Sequence, residues 1–315
     1  MSGLAPYATH DYAAAFGPPY RPFLVPEWET SVLLRPIAGA DRDDAAGCYP
    51  RTVLGSTAAL PEGFHRLRQQ GAVSVVLTLD PLTAPASSVL LSTCDVARPF
   101  KRHYIFDRSR GGGPSFGRHH RYEIRRAARR CDVAEVPLAH YLSEWNSLYD
   151  TLVERHCITG IQRFSKGYFA ALSQLSGLVT YAARLGGRIV AMSLWLCHGE
   201  HAWSHLAAAD DEGYRCGASY LLYATALEAL RDCRLFDLGG AAGIENDADG
   251  GLARFKRGFA NTTAEAWLCG TVLDRQAYAQ MSSGVPADQF FPAYRRPDAS
   301  TGAVHTAGRA SRSYR

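Results

Sequence analysis

Lys256 lies between two aromatic residues, Phe255 and Phe259, at the end of the run 236–259, FDLGGAAGIENDADGGLARFKRGF. An ammonium walled by apolar groups exerts a stronger field than one in water, so it can steady a negative charge that appears beside it. Phe236, Asp237 and Leu238 have the composition of a buried strand end, and Gly239 and Gly240 then break the strand. A loop of small and acidic residues leads on to the short element that carries Lys256. The grouping places one cation next to a glycine turn, where backbone can approach a ligand closely.

Three other groups could do chemistry. Residues 98–130 hold eleven Lys or Arg against Asp107 and Glu123, a local net of +9 in a chain whose whole net charge is +4. Within that segment Arg121, Arg125 and Arg129 recur every four residues and share a helix face, which Arg118, Arg126 and Arg130 broaden. Such a row fits a solvated helix face, and it equally fits a phosphate track for a polyanion such as tRNA. Few aromatics accompany it, so single-strand readout is not indicated. His205 lies in mid-strand, facing opposite to Ser204, and is either a satisfied core histidine or a proton relay. His198 and His201 flank a hairpin turn and diverge, so no metal site is expected there. The eight cysteines contain no CxxC pair, which argues against zinc and against a disulfide framework.

The FDLGG and FKRGF segments resemble the signature of the FemABX-like branch of the GNAT acyltransferases, in which an FDxGG strand end precedes an FKxxF segment. The resemblance spans roughly residues 110–270. It implies that Lys256 steadies the oxyanion formed when an amine attacks an activated ester. Lys256, His205 and Asp237 are then the catalytic candidates, with Phe255, Phe259, Gly239 and Gly240 lining the substrate. It also implies that Arg163 and Tyr168 could hold the phosphates of a nucleotide-linked acceptor, and that the basic helix opens the second GNAT unit, where it is partly structural. The arginine row itself makes Arg118, Arg121, Arg125 and Arg129 the candidates for contact with nucleic acid. Cys48, Tyr49 and Pro50 lie where such chains often carry a Tyr–Pro loop. CoA-dependent GNAT enzymes have a [QR]xxGx[GA] loop, and residues 214–219, YRCGAS, keep only its central Gly217. The resemblance therefore implies no bound cofactor, with a CoA thioester as substrate only in the alternative reading.

The elements that must position these residues follow from periodicity and turn signals. Strands are expected at 31–35, 73–79, 88–92 and 103–106, and a helix at 61–70 with proline suited to its first turn. Nothing in this half carries chemistry by itself. After the GGGP linker at 111–114, helices are expected at 118–130, 138–155 and from Ser165 to about residue 175. A strand at 132–136 precedes a meander at 179–185, 188–197 and 201–209, with Gly186 and Gly187 as its hairpin turn. A helix at 218–231 and strands at 234–238 and 263–270 complete the C-terminal order of a GNAT unit.

The expected fold is α/β, with two GNAT-like units of mixed, largely antiparallel sheet flanked by helices. The division is a loose arm at 1–25, a degenerate first unit at 26–110, the acyltransferase unit at 111–280 and a disordered tail at 281–315. Residues 290–294 could dock ahead of the tail's end. The composition is that of an ordinary globular protein, without a secretory leader or an apolar run of roughly eighteen residues. A cytoplasmic location is expected. The expected reaction moves an aminoacyl group from aminoacyl-tRNA to an amine of a peptidoglycan precursor or peptide-like metabolite. The alternatives are a CoA-dependent N-acyltransferase and a non-catalytic GNAT scaffold that binds a phosphate-bearing partner.

Overall fold

A computed structural model describes residues 3–111, 114, 116–160, 163–241, 250–285 and 290–296. The strands are β1 (Arg21–Val25), β2 (Thr30–Pro36), β3 (Asp43–Gly47), β4 (Ser74–Leu79), β5 (Val96–Asp107), β6 (Asp132–Glu135), β7 (Leu178–Leu185), β8 (Arg188–His198), β9 (His201–Ala209), β10 (Leu235–Gly240) and β11 (Thr262–Val272). The helices are α1 (His10–Ala14), α2 (Leu60–Gln69), α3 (Ser87–Thr93), α4 (Arg118–Ala128), α5 (Leu142–His156), α6 (Lys166–Leu172), α7 (Asp211–Cys216), α8 (Ala218–Ala229), α9 (Gly251–Arg257) and α10 (Arg275–Met281).

All the strands join one sheet in the order β1-β2-β3-β4-β11-β5-β10-β9-β8-β7-β6. Only β3–β4 and β9–β10 pair in parallel; the other neighbours are antiparallel. The fold is thus mixed α/β, a large and mostly antiparallel sheet flanked by helices. The last strand, β11, lies between β4 and β5 and bridges the early and late parts of the chain. Among the described residues, no helix is long and apolar enough to cross a membrane.

Strand alternation distributes β8 and β9 between two cores. Met192, Leu194, Leu196 and Trp203 face α1, α5 and α6, in a core with Tyr12, Trp145, Tyr149 and Phe169. Ala191, Trp195 and Ala202 face α8 and α9, together with Leu222, Tyr223, Phe236 and Phe259. Covered on both faces, β8 reads as a continuous apolar run. The hairpin at Gly186 and Gly187 forms as expected, with φ of +58° and +84°.

Several expectations are corrected. Residues 6–25 are not a loose arm: they form a 3-10 turn, α1 and β1, and Tyr7 and Tyr12 are buried against Trp203, Tyr168 and His205. The apolar stretch at 88–92 is α3, which buries Leu90 and leaves Val89 and Leu91 in solvent. A helix period, not alternation, fits that single buried position. Part of the 281–315 tail is packed: Phe291 stacks on Tyr278, and Tyr294 bonds to Ser74 and Asp44. Residues 286–289 and 297–315 lie outside the described residues, as does the acidic loop at 242–249.

Candidate active site

The alternation of β10 determines which way each of its side chains points. Phe236 and Leu238 enter the core under α8 and α9, so Asp237 projects from the opposite face. There it meets Arg51, which arrives on the loop after Tyr49 and Pro50, and His103, whose Nδ1 lies 2.8 Å from Asp237 Oδ2. Arg51 is shared with a second buried carboxylate, Asp80, at 3.0 Å. Trp203 Nε1 donates to that same Asp80 oxygen at 2.9 Å. Burial opposes ionisation of Asp237, but Arg51 and His103 outweigh it and hold the carboxyl below the usual carboxylate range. The other Asp237 oxygen, Oδ1, accepts the Gly239 N–H at 2.6 Å.

That last bond shapes the strand end. The pairing of β10 with β5 shifts register between Asp237 and Gly240, and Gly239 turns with φ +80°. A Cβ at Gly239 would lie 2.9 Å from Lys256 Nζ. Lys256 reaches this point from α9 and donates to the Gly240 carbonyl at 2.7 Å. Lys101, on β5, donates to the neighbouring Ala241 carbonyl at 3.2 Å. Two ammoniums therefore converge on the end of β10. Burial pushes Lys256 down to about 7; Asp237 opposes that fall, while Arg51 and Lys101 add to it. Around neutrality such a group exists partly as a strong hydrogen-bond donor and partly as a free amine. It can steady a developing oxyanion or exchange a proton.

The structure brings Lys256, Asp237, Gly239 and Gly240 together. Asp237 does not stand open as a catalytic acid or base, because both its oxygens are engaged. Phe255 and Phe259 do not wall the ammonium. They are four apart on one face of the turn, and Lys256 is rotated about 100° from Phe255. Their rings pack instead on Tyr220 and Tyr223 of α8 and on His120 of α4. His120 also holds α9 in place: its Nε2 lies 2.9 Å from the Phe255 carbonyl, and its ring fills the space a Cβ at Gly258 would need.

His205 is a satisfied buried histidine. Its Nδ1 is 2.9 Å from the Tyr7 hydroxyl, and its Nε2 is 3.0 Å from that of Tyr168. Burial, with Arg51 nearby, pushes it down to about 3, so it is neutral and has no nitrogen left for a relay. Tyr168 is likewise enclosed, donating to Tyr12, whereas Arg163 is exposed. The two do not form a phosphate clamp. Arg118, Arg121 and Arg125 are exposed on α4 and Arg129 is exposed at its C-cap, whereas Arg126 turns inward to Glu123 and the Arg215 carbonyl. A surface hollow beside α2, lined by Glu27, Pro61, Glu62, His65, Arg66 and Gln69, includes none of these groups.

Arg51, Asp80, Trp203, His103 and Lys101 went unread in the sequence. The Tyr49–Pro50 loop was the nearest signal, since Arg51 follows it directly.

Residues 118–257 match the family described as an acetyltransferase (GNAT) domain. The chain carries a GNAT domain and is a GNAT-fold acyltransferase. Among solved structures it is similar to FemX, at 12% identity over 87% of this chain and 93% of that one, with a TM-score of 0.64. It is also similar to L-PGS from Bacillus licheniformis, at 14% identity over 87% and 95% of the two chains, with a TM-score of 0.57. These likenesses are of fold, and they agree with the FemABX-like resemblance of the FDLGG and FKRGF segments. No curated protein matches the sequence.

Proposed function

We propose that the protein transfers an aminoacyl group from aminoacyl-tRNA to the amine of a peptide-like acceptor, such as a peptidoglycan precursor, and forms an amide. The observation that carries this reading is Lys256, whose ammonium is held at the glycine turn of β10 with its charge tuned near neutrality. The acceptor nitrogen attacks the ester carbon, and the carbonyl electrons move onto oxygen. Lys256 donates a hydrogen bond to that oxyanion. Collapse of the intermediate expels the ribose oxygen of the tRNA, which takes up the proton lost by the amine. The fold likeness to FemX and L-PGS supports this donor class, and the exposed arginines of α4 supply a surface for the polyanion. Such a reaction belongs in the cytoplasm, where aminoacyl-tRNA is available. We further propose that residues 26–110 and 111–280 are the two GNAT-like units.

The family's description as acetyltransferases favours CoA as a second donor candidate. One observation weighs against it. Gly217 opens α8 with φ +77°, where a GNAT enzyme would present backbone N–H groups to a pyrophosphate. A Cβ at that glycine would lie 3.1 Å from the Glu123 carboxylate and 3.6 Å from the Arg126 guanidinium, so that ion pair already occupies the helix start. Incubation with labelled aminoacyl-tRNA and, separately, labelled acetyl-CoA decides between the two. Label should reach an amine acceptor from the tRNA, and calorimetry should show no micromolar binding of acetyl-CoA. Stoichiometric micromolar binding, or label moving only from acetyl-CoA, would reverse the assignment.

The α4 surface has its own test. Affinity for tRNA should fall steeply with salt, roughly a hundredfold for a fourfold rise in salt where about four phosphates are neutralised. Replacing Arg121, Arg125 and Arg129 with alanine should flatten that dependence. An unchanged slope in filter-binding titrations would make the row a solvated helix face only.

A further inference from the structure

We propose that Arg51 is a positioning residue for Lys256, acting through Asp237 and the Gly239 backbone, and that it couples the early part of the chain to the acyl-transfer centre. The proposal rests on the reading of Lys256 given above.

The connection is a short chain of contacts. Trp203 Nε1 and Arg51 both donate to Asp80 Oδ2, at 2.9 and 3.0 Å, which fixes the guanidinium from one side. Arg51 and His103 together hold Asp237 Oδ2. With that oxygen fixed, Oδ1 is aimed at the Gly239 N–H, and the turn at Gly239 is held open. The opening is the space in which Lys256 Nζ sits, because a Cβ at Gly239 would approach it to 2.9 Å. Arg51 lies more than two hundred residues from Lys256 in sequence but only one carboxylate away in space.

Charge follows the same route. Among the described residues, the charged groups around Lys256 are Asp237 on β10, Arg51 on the loop after β3, and Lys101 on β5, with His103 behind Asp237. Asp237 is the one that attracts the ammonium, and Arg51 competes for it. Without Arg51, Asp237 would keep His103, and its charge would act on the Lys256 ammonium with no guanidinium to oppose it. The ammonium would then be drawn into an ion pair and would resist both deprotonation and movement toward a substrate. A guanidinium that served only to stabilise the fold would alter melting without altering how Lys256 ionises.

Competitive labelling separates these cases without requiring turnover. Acetic anhydride acylates only unprotonated amines, so peptide mass spectrometry over a pH series reports the ionisation of Lys256 in the folded full chain. In the wild type, half-maximal labelling should fall near pH 7, well below that of surface lysines. Arg51→Gln should slow Lys256 labelling at pH 7 by about fivefold, the effect of raising its midpoint from about 7 by about one pH unit. Arg51→Lys, which keeps the charge, should stay close to wild type. Should Arg51→Gln fail to fold, Asp237→Asn decides. It keeps an acceptor for the Gly239 N–H but removes the anion, so labelling at pH 7 should rise. An unmoved Lys256 profile in whichever of these two variants folds overturns the proposal. The labelling result stands even if the aminoacyl-transfer reading fails, because that failure appears in the donor assay. Conversely, transfer from tRNA with an unmoved labelling profile would overturn only the role of Arg51.

Discussion

Lys256→Met lowers turnover by about two to three orders of magnitude while acceptor binding changes little. Removal of one oxyanion donor typically costs about 2.7–4 kcal/mol of barrier, and the charge it serves exists only in the transition state. The effect therefore falls on kcat rather than on KM. Wild-type turnover carries a second signature. The donor form of Lys256 is present below its ionisation, at about 7, and is lost as the pH rises through that value. Activity should accordingly decline on the alkaline side of neutrality, and the Met variant's residual activity should lack that decline. The fold should survive and melt no lower than wild type, because folding places the ammonium where its charge is disfavoured, a cost that methionine avoids. A Met variant with wild-type kcat would remove Lys256 from the mechanism.

Gly239→Ala should lower kcat by roughly a hundredfold, the scale of loss when a catalytic group is displaced by about an ångström. Two effects combine at this position. The backbone at φ +80° is one that L side chains rarely adopt, and the new methyl would meet Lys256 Nζ at 2.9 Å. Gly186→Ala is the control. It also has positive φ, at +58°, but its Cβ would meet nothing within 4 Å. Both variants should lose stability from backbone strain, and only Gly239→Ala should lose turnover. Steady-state kinetics alongside thermal melts would expose the idea as wrong if the two behaved alike.

What the sequence disclosed was local. The glycine pair at 186–187 between two apolar runs identified a hairpin, and the FDLGG strand end with its downstream lysine anticipated that Lys256 would meet the glycine turn. Both signals lie within a few residues of the feature they predict. Arg51 meets Asp237 across 186 residues and Trp203 meets Asp80 across 123, and no spacing rule connects such partners. Tyr7 and Tyr12 looked like part of a loose arm because their burial depends on His205 and Tyr168, which arrive much later in the chain. The aromatic wall around Lys256 failed for a different reason. Neighbours in sequence are not neighbours on a helix face, so Phe255 and Phe259 face α8 while the lysine between them faces the sheet. His205 carried two open readings, and only its two tyrosine partners could decide between them.

The position of β11 has a consequence for how the protein is made. Residues 262–272 fill the gap between β4 and β5, so until they emerge from the ribosome those two strands lack their shared neighbour. A nascent chain of some 250 residues would present two bare strand edges, one of them β5, which carries Lys101 and His103. Exposed edges of that kind invite pairing with other chains. Completion of the sheet beneath the centre around Lys256 thus waits on β11. A ribosome that stalls just short of β11 would release a sticky fragment rather than a partly working enzyme.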